Sequence, residues 1–366
     1  MKRFEKPILV TRPFLPDLVD FKTGCEEIWA NRWLTNDGPM LDAFHAELAA
    51  RLGISADNLA LFCNGTLALE MGLKAMGLEG GEVITTPFTF VATAHAIRRI
   101  GATPVFADID SETMCLSPAA AERAITPRTR AIVPVHVYGH SCDVEGFAEL
   151  GAKYGVKIVY DAAHAFGTDL HKYGDMAMFS FHPTKLFHSC EGGLLVFRDR
   201  AIQPQLFNLR NFAITTETDC VDVGTNAKMN ELQALMGRLN LAHLDAILAW
   251  RRMVSKAYAV AFSGCEGVSF VNRSLNHAYC PVLFRTQKVR ETVYTRLKEE
   301  CNVFSRRYFY PTLTDFAPYA AAKGSCPVAD DIAGRVLCLP TYHGLTADEV
   351  SDIAANVIEI VQGCAG

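Results

Sequence analysis

Four short stretches place reactive side chains where an apolar run gives way to a turn. In MAMFSFHPTKLFHSCEGGLLVF, Ser180, His182 and Lys185 follow such a run and precede the pair Gly192-Gly193. A lysine between two apolar segments, in a turn that holds Pro183, is poorly placed for an ordinary solvated ammonium. Burial would lower its basicity and free the amine to act as nucleophile or base, the ordinary alternative being a surface lysine. In KIVYDAAHAFG, Asp161 closes an apolar run three residues before His164. A carboxylate there can meet a cation at the strand end, or cap the helix that follows. In LFCNGTLALEMGLKA, the chain turns through Asn64-Gly65-Thr66 into a helical pattern. Free amides and the dipole at a helix start suit a phosphate, although an ordinary cap on Asn64 or Thr66 fits the same residues. In ITTPFTFVATAHAI, Phe88 and Phe90 are placed either for the core or to stack on a flat ligand. An amine for a Schiff base, a carboxylate for a pyridinium, a phosphate cup and a stacking ring are the parts of a pyridoxal phosphate site. Each is weak alone, and their order along the chain carries the reading.

The elements that would position these residues recur in alternation. Apolar or β-branched runs at 59–62, 82–86, 104–107, 131–135, 157–160, 177–181 and 194–197 read as strands. Amphipathic stretches at 67–78, 92–100, 119–125 and 144–154 read as helices. Strand–helix alternation predicts an α/β fold whose mostly parallel, seven-stranded sheet is covered on both faces, with ligands outside the carboxyl ends of its strands. Beyond about residue 225 the pattern changes to a long helical stretch at 230–262, then a strand at 279–284 among helices at 288–300 and 347–362. The chain is therefore expected to divide into a large domain, 1–235, and a smaller C-terminal α/β domain, 236–366.

Composition removes other classes. The 366 residues are 50% hydrophobic and 20% charged, as in folded proteins, and a formal charge of -5 gives no electrostatic reason to bind nucleic acid or an anionic membrane. No apolar stretch approaches the ~18 residues of a membrane span. The 12 cysteines are scattered without a CxxC and read as reduced core residues. With no signal-peptide run after Met1-Lys2-Arg3, they predict a cytoplasmic protein. His136 and His140 stand four apart, but Val137 and Gly139 argue against the helix that would align them, so no metal is expected. A nicotinamide-dependent reductase on the same layout would need a glycine fingerprint that is missing.

The order NGT, TTPFTFVATAHAI, VFADID, VPVHVYGH, DAAHAFG, SFHPTK and EGG resembles the DegT/StrS-type nucleotide-sugar aminotransferases over nearly the whole chain. KPILVTRPFLPDL, RWLTNDGP and FSRRYFYPTL are similar to the branch that aminates dTDP-4-keto-6-deoxyglucose at its 4-position. The resemblance implies fold type I of the pyridoxal phosphate enzymes, a homodimer with shared active sites, glutamate as donor and pyridoxamine phosphate as the intermediate cofactor form. It makes Lys185 the Schiff-base lysine, Asp161 the partner of the ring nitrogen and His164 a neighbour of the ring hydroxyl. Gly65, Thr66 and Ser180 fall around the phosphate, and Phe90 on the stacking position. In GTNAKMNELQA, Asn226 or Lys228 would reach the phosphate of the neighbouring subunit, although Ala227 and Lys228 depart from the family's usual aromatic and arginine. Arg306, Arg307 and Tyr308, with Thr35 and Asn36, are the candidates for the sugar nucleotide. Lys185 stands where the family's sugar dehydratases carry histidine. The alternatives are a 3-aminotransferase or dehydratase of the same family, or a non-catalytic regulatory protein on the same fold.

Overall fold

The computed structural model describes residues 1–364. Its central sheet contains β1 (Leu59–Phe62), β2 (Glu82–Thr85), β3 (Thr103–Phe106), β4 (Thr129–Val133), β5 (Lys157–Asp161), β6 (Met176–Ser180) and β7 (Gly193–Phe197). These are the seven expected strands, with ends displaced by a residue or two. Their spatial order is β1-β7-β6-β5-β4-β2-β3. β2 to β6 run parallel, and β7 is antiparallel to both of its neighbours. The helices Gly65–Ala75, Val91–Arg99, Pro118–Arg123 and Val144–Tyr154 lie between consecutive strands. Successive side chains of β1 enter opposite layers: Leu59 and Leu61 pack with Ile84, Phe147 and Phe179, whereas Ala60 and Phe62 pack with Leu69, Leu73 and Ile97. Because helices cover both faces, the strands read as continuous apolar runs rather than alternating ones.

β8 (Val268–Phe270), β9 (Cys280–Phe284) and β10 (Val336–Leu339) form a second, antiparallel sheet in that order. The helices Leu244–Ala261, Gln287–Cys301 and Ala347–Gly363 enclose its separate core, which includes Val254, Tyr258, Val282, Leu297, Leu337 and Val357. The long helical stretch is two helices, Glu231–Ala242 and Leu244–Ala261, which meet at His243. The first packs on helix Pro39–Leu52 and the second on helix Ala347–Gly363, so residue 235 lies within an element of the larger unit. The N-terminus crosses the other way. Phe4 and Ile8 belong to the smaller core, and Ile8–Leu9 pairs in parallel with Val303–Phe304.

The helices Leu18–Asn31 and Pro39–Leu52 precede β1. The second begins after Gly38 without a side-chain cap of its own. Its first amides are instead taken by the buried Glu231 carboxylate, from Met40 at 2.8 Å and Leu41 at 3.0 Å. A carboxylate at a helix N-terminus satisfies both the orphan donors and the dipole. Among the described residues no helix is long and apolar enough to cross a membrane, and no three His, Cys, Asp or Glu side chains are grouped to hold a metal. His136 and His140 are separately bonded, to the amide of Cys142 and the carbonyl of Thr113.

Candidate active site

The carboxyl ends of β5 and β6, the turn after β1 and the loop after β6 open onto one cavity of about 820 Å³. Asp161, the last residue of β5, and Lys185, in the loop after β6, both line it. Lys185 is half-buried, and burial lowers its ammonium from an ordinary 10.5 to about 8, with the Asp161 charge pulling the other way. Its Nζ lies 3.4 Å from the Tyr279 hydroxyl. Asp161 is buried, and that burial raises its carboxyl. Thr93 Oγ1, donating to Oδ2 at 2.7 Å, the Ala163 amide, donating to Oδ1 at 3.1 Å, and Lys185 all oppose the rise.

His164 sits in the loop after β5. Its Nδ1 accepts from the Tyr138 amide at 3.0 Å. Burial first, then the neighbouring Lys185 charge, hold the imidazole well below its usual value. The ring is therefore neutral and carries its proton on Nε2. Asn276, from the smaller unit, fixes this loop by donating to the carbonyls of His164 at 2.9 Å and Phe166 at 2.8 Å.

Gly65 and Thr66 start helix Gly65–Ala75 and line the cavity opposite Ser180, the last residue of β6. Asn64 caps the helix through the Leu67 amide at 2.8 Å, which leaves the first amides, for which a helix offers no carbonyl, beside the cavity. A Cβ on Gly65 would approach Ser180 Cβ to 3.0 Å and Met178 Sδ to 3.1 Å, so any larger residue presses on the cavity wall at this turn. The two phenylalanines separate: Phe88 is fully buried core, whereas Phe90 lines the cavity with 59% of its surface exposed. An amine of lowered basicity, a buried carboxylate, an open two-amide turn and an uncovered ring around one space fit pyridoxal phosphate.

The substrate-side candidates divide. Arg306 and Tyr308 line the cavity, Arg306 with its guanidinium 5.4 Å from the Tyr308 ring. Arg307 does not join them. It points into the smaller unit, donates to Glu291 at 2.9 and 3.1 Å and lies over the Tyr294 ring. The segment is extended, with Arg306 bridged to Cys338, and in such a segment neighbouring side chains face opposite ways. Thr35 and Asn36 are exposed in the loop between the first two helices, away from this cavity. Asn226 and Lys228 also lie outside it, with Lys228 donating to Asn211 at 2.7 Å.

Two side chains in contact with the central pair escaped the reading of the sequence. Thr93 stands 68 positions from Asp161, and Tyr279 94 positions from Lys185, so no local pattern joins them. The only signal for Thr93 was its place in the same TFVAT segment as Phe90.

Residues 19–358 match the model of the DegT/DnrJ/EryC1/StrS aminotransferase family. The chain is 40% identical to a dTDP-4-amino-4,6-dideoxy-D-glucose transaminase of Shigella dysenteriae, covering 97% of this chain and all of that protein. It is 37% identical to one of Escherichia coli, over 95% of this chain and 97% of that one. The crystal structure of DesI with its TDP-sugar product superposes with a TM-score of 0.92 at 33% identity, over 99% of this chain and 95% of that chain. A mostly parallel seven-stranded α/β fold and a match over nearly the whole sequence lead to one conclusion: the chain belongs to the DegT/DnrJ/EryC1/StrS aminotransferase family.

Proposed function

We propose that this enzyme transfers an amino group from glutamate to C4 of a dTDP-linked 4-keto-6-deoxyglucose. The observation that carries the reading is the meeting of Lys185 and Asp161 in one cavity, on a chain 40% identical over its length to a transaminase of the corresponding 4-amino sugar. Pyridoxal phosphate, the family's cofactor, supplies when bound an electron sink for the carbon that gains or loses the amine. Lys185 would hold it, Asp161 would face its ring nitrogen, His164 its ring hydroxyl and Phe90 its ring. Gly65, Thr66 and Ser180 would surround the phosphate.

The chain's own groups then divide the work. Lys185 Nζ, lowered to about 8, is substantially neutral near that pH and takes a proton from the α-carbon of the donor. The same amine returns a proton, and in the second half of the cycle it serves the sugar carbon in the reverse order. Asp161, ionised, keeps the nitrogen opposite it protonated. His164, neutral with Nε2–H, donates without adding a charge. Arg306 and Tyr308 receive the sugar nucleotide, the guanidinium meeting its diphosphate.

A second copy of the chain completes the site in this reading. Trp29, Trp33, Leu18 and Val19 on the N-terminal segment are exposed, as are Ile214, Val221 and Val223 around a hairpin near Asn226 and Lys228. Large apolar side chains left open in this number support a partner surface. Asn226 and Lys228 then serve the partner's phosphate, and Thr35 and Asn36 the partner's sugar. The two units divide near His243, where the packing of the helices changes sides.

The protein loaded with pyridoxal phosphate should show a visible absorbance band that glutamate bleaches. Lys185→Ala should lose the band and turnover while keeping its fold, as its far-UV circular dichroism would show. A wild-type protein that stays colourless with added cofactor would overturn the proposal.

A further inference from the structure

Asp161 stands at the end of a chain of hydroxyls. Thr93 Oγ1 lies 2.7 Å from Asp161 Oδ2, and Thr89 Oγ1 lies 3.0 Å from Thr93 Oγ1. All three side chains are buried in the wall of the cavity. An ionised carboxylate only accepts, so the single proton of Thr93 is committed to Asp161. Thr89 must therefore be the donor to Thr93, and both hydroxyls point the same way, toward the carboxylate. Each bond polarises the next, which strengthens the contact at Asp161. Threonines within a helix often bond the carbonyl four residues back. Thr93, in the first turn of helix Val91–Arg99, spends its hydroxyl on Asp161 instead.

We propose that Thr93, with Thr89 behind it, is a positioning residue that keeps Asp161 ionised and aimed at the cofactor's ring nitrogen. The pair thereby sets the pH below which the site loses its carboxylate. This rests on the role proposed above for Asp161. The other groups around that carboxylate leave few alternatives. Lys185 favours its ionised form across the cavity. His164, on the following loop, is held neutral by burial. His136, whose amide donates to the Asp161 carbonyl, is lowered to about 3 and is also neutral. The Cys142 thiol is buried and raised well above its ordinary value, so it carries no charge either. Thr93, the Ala163 amide and Lys185 oppose the penalty of burial.

The experiment compares Thr93→Val, Thr93→Ser, Thr89→Val and Asp161→Asn as holoenzymes. Three properties are measured: the pH dependence of the bound-cofactor absorbance, the affinity of each apoprotein for pyridoxal phosphate, and kcat and KM against pH. Without the hydroxyl, Asp161 protonates at higher pH, so the acid limb of the kcat profile and the absorbance transition both move to higher pH in Thr93→Val. Its kcat at neutral pH falls about tenfold with little change in KM for glutamate, the size of one charge-assisted hydrogen bond. Thr93→Ser restores both profiles, and Thr89→Val shifts them less, in the same direction. Should Thr93→Val not fold, Thr89→Val decides by that shift. Wild-type profiles in the valine variants, beside an impaired Asp161→Asn, would overturn the inference while leaving the role of Asp161 intact. An Asp161→Asn protein with wild-type cofactor affinity and absorbance would instead overturn the role of Asp161, and this inference with it.

Discussion

Lys185 and Asp161 are both pushed by burial toward their neutral forms, and each is drawn back by the other's charge. For Lys185 the consequence extends to stability. Its value is about 8 when folded and the ordinary 10.5 when unfolded, so between these limits the unfolded chain binds the extra proton. Stability of the apoprotein attributable to this group therefore rises as pH increases from about 8 to 10.5. Lys185→Met should remove that rise, which urea melts of both proteins across the window would detect as a smaller difference between pH 8 and 10.5. The arginine pair gives a second contrast. Arg306→Ala should raise KM for the nucleotide sugar about tenfold or more. Arg307→Ala should leave that KM unchanged and cost about 1 kcal/mol of stability through the lost Glu291 pair, as steady-state kinetics and melts would show. At this scale Lys185 and Asp161 were ambiguous one by one and were singled out by their joint order along the chain and by the family resemblance; the structure places both on one cavity. The sequence did not separate Arg306 from Arg307, since the two are adjacent and only the extended backbone turns them apart. Thr93 and Tyr279 were hidden because their partners are distant in the chain.

Elements were legible where their causes are local. All seven central strands follow apolar runs closed by polar turns, and helix Val144–Tyr154 was visible from its amphipathic pattern alone. Helix Pro39–Leu52 lacks a side-chain cap of its own and takes Glu231, about 190 positions away, in its place. Glu231→Ala leaves the buried amides of Met40 and Leu41 without an acceptor and should cost about 2–3 kcal/mol, measurable by denaturant unfolding. The break at His243 was missed because neither glycine nor proline marks it; the helix end is decided by which unit each helix packs on. The turn after β1 makes a complementary prediction. Gly65→Ala, pressing on Ser180 and Met178, should weaken pyridoxal phosphate binding by a factor of a few, up to about tenfold, in a titration of the apoprotein.

The whole molecule joins two units whose strands meet around the cavity, with Tyr279 and Arg306 from the smaller one facing Lys185 and Asp161 from the larger. Net charge and length were silent about this, because a sugar diphosphate needs only a local cation such as Arg306. If two copies share their sites, a mixture of Lys185→Ala with an Asn226→Ala, Lys228→Ala double variant should recover activity that neither has alone. Activity would return through hybrid dimers in which one site is intact, and sites confined to single chains would give no recovery on mixing. The most direct test of the proposed reaction takes holoenzyme bleached by glutamate, removes the donor and adds keto sugars one at a time. A dTDP-linked 4-keto-6-deoxyglucose should restore the visible band in proportion to the 4-amino sugar formed; restoration only by a 3-keto sugar, or by neither, would contradict it.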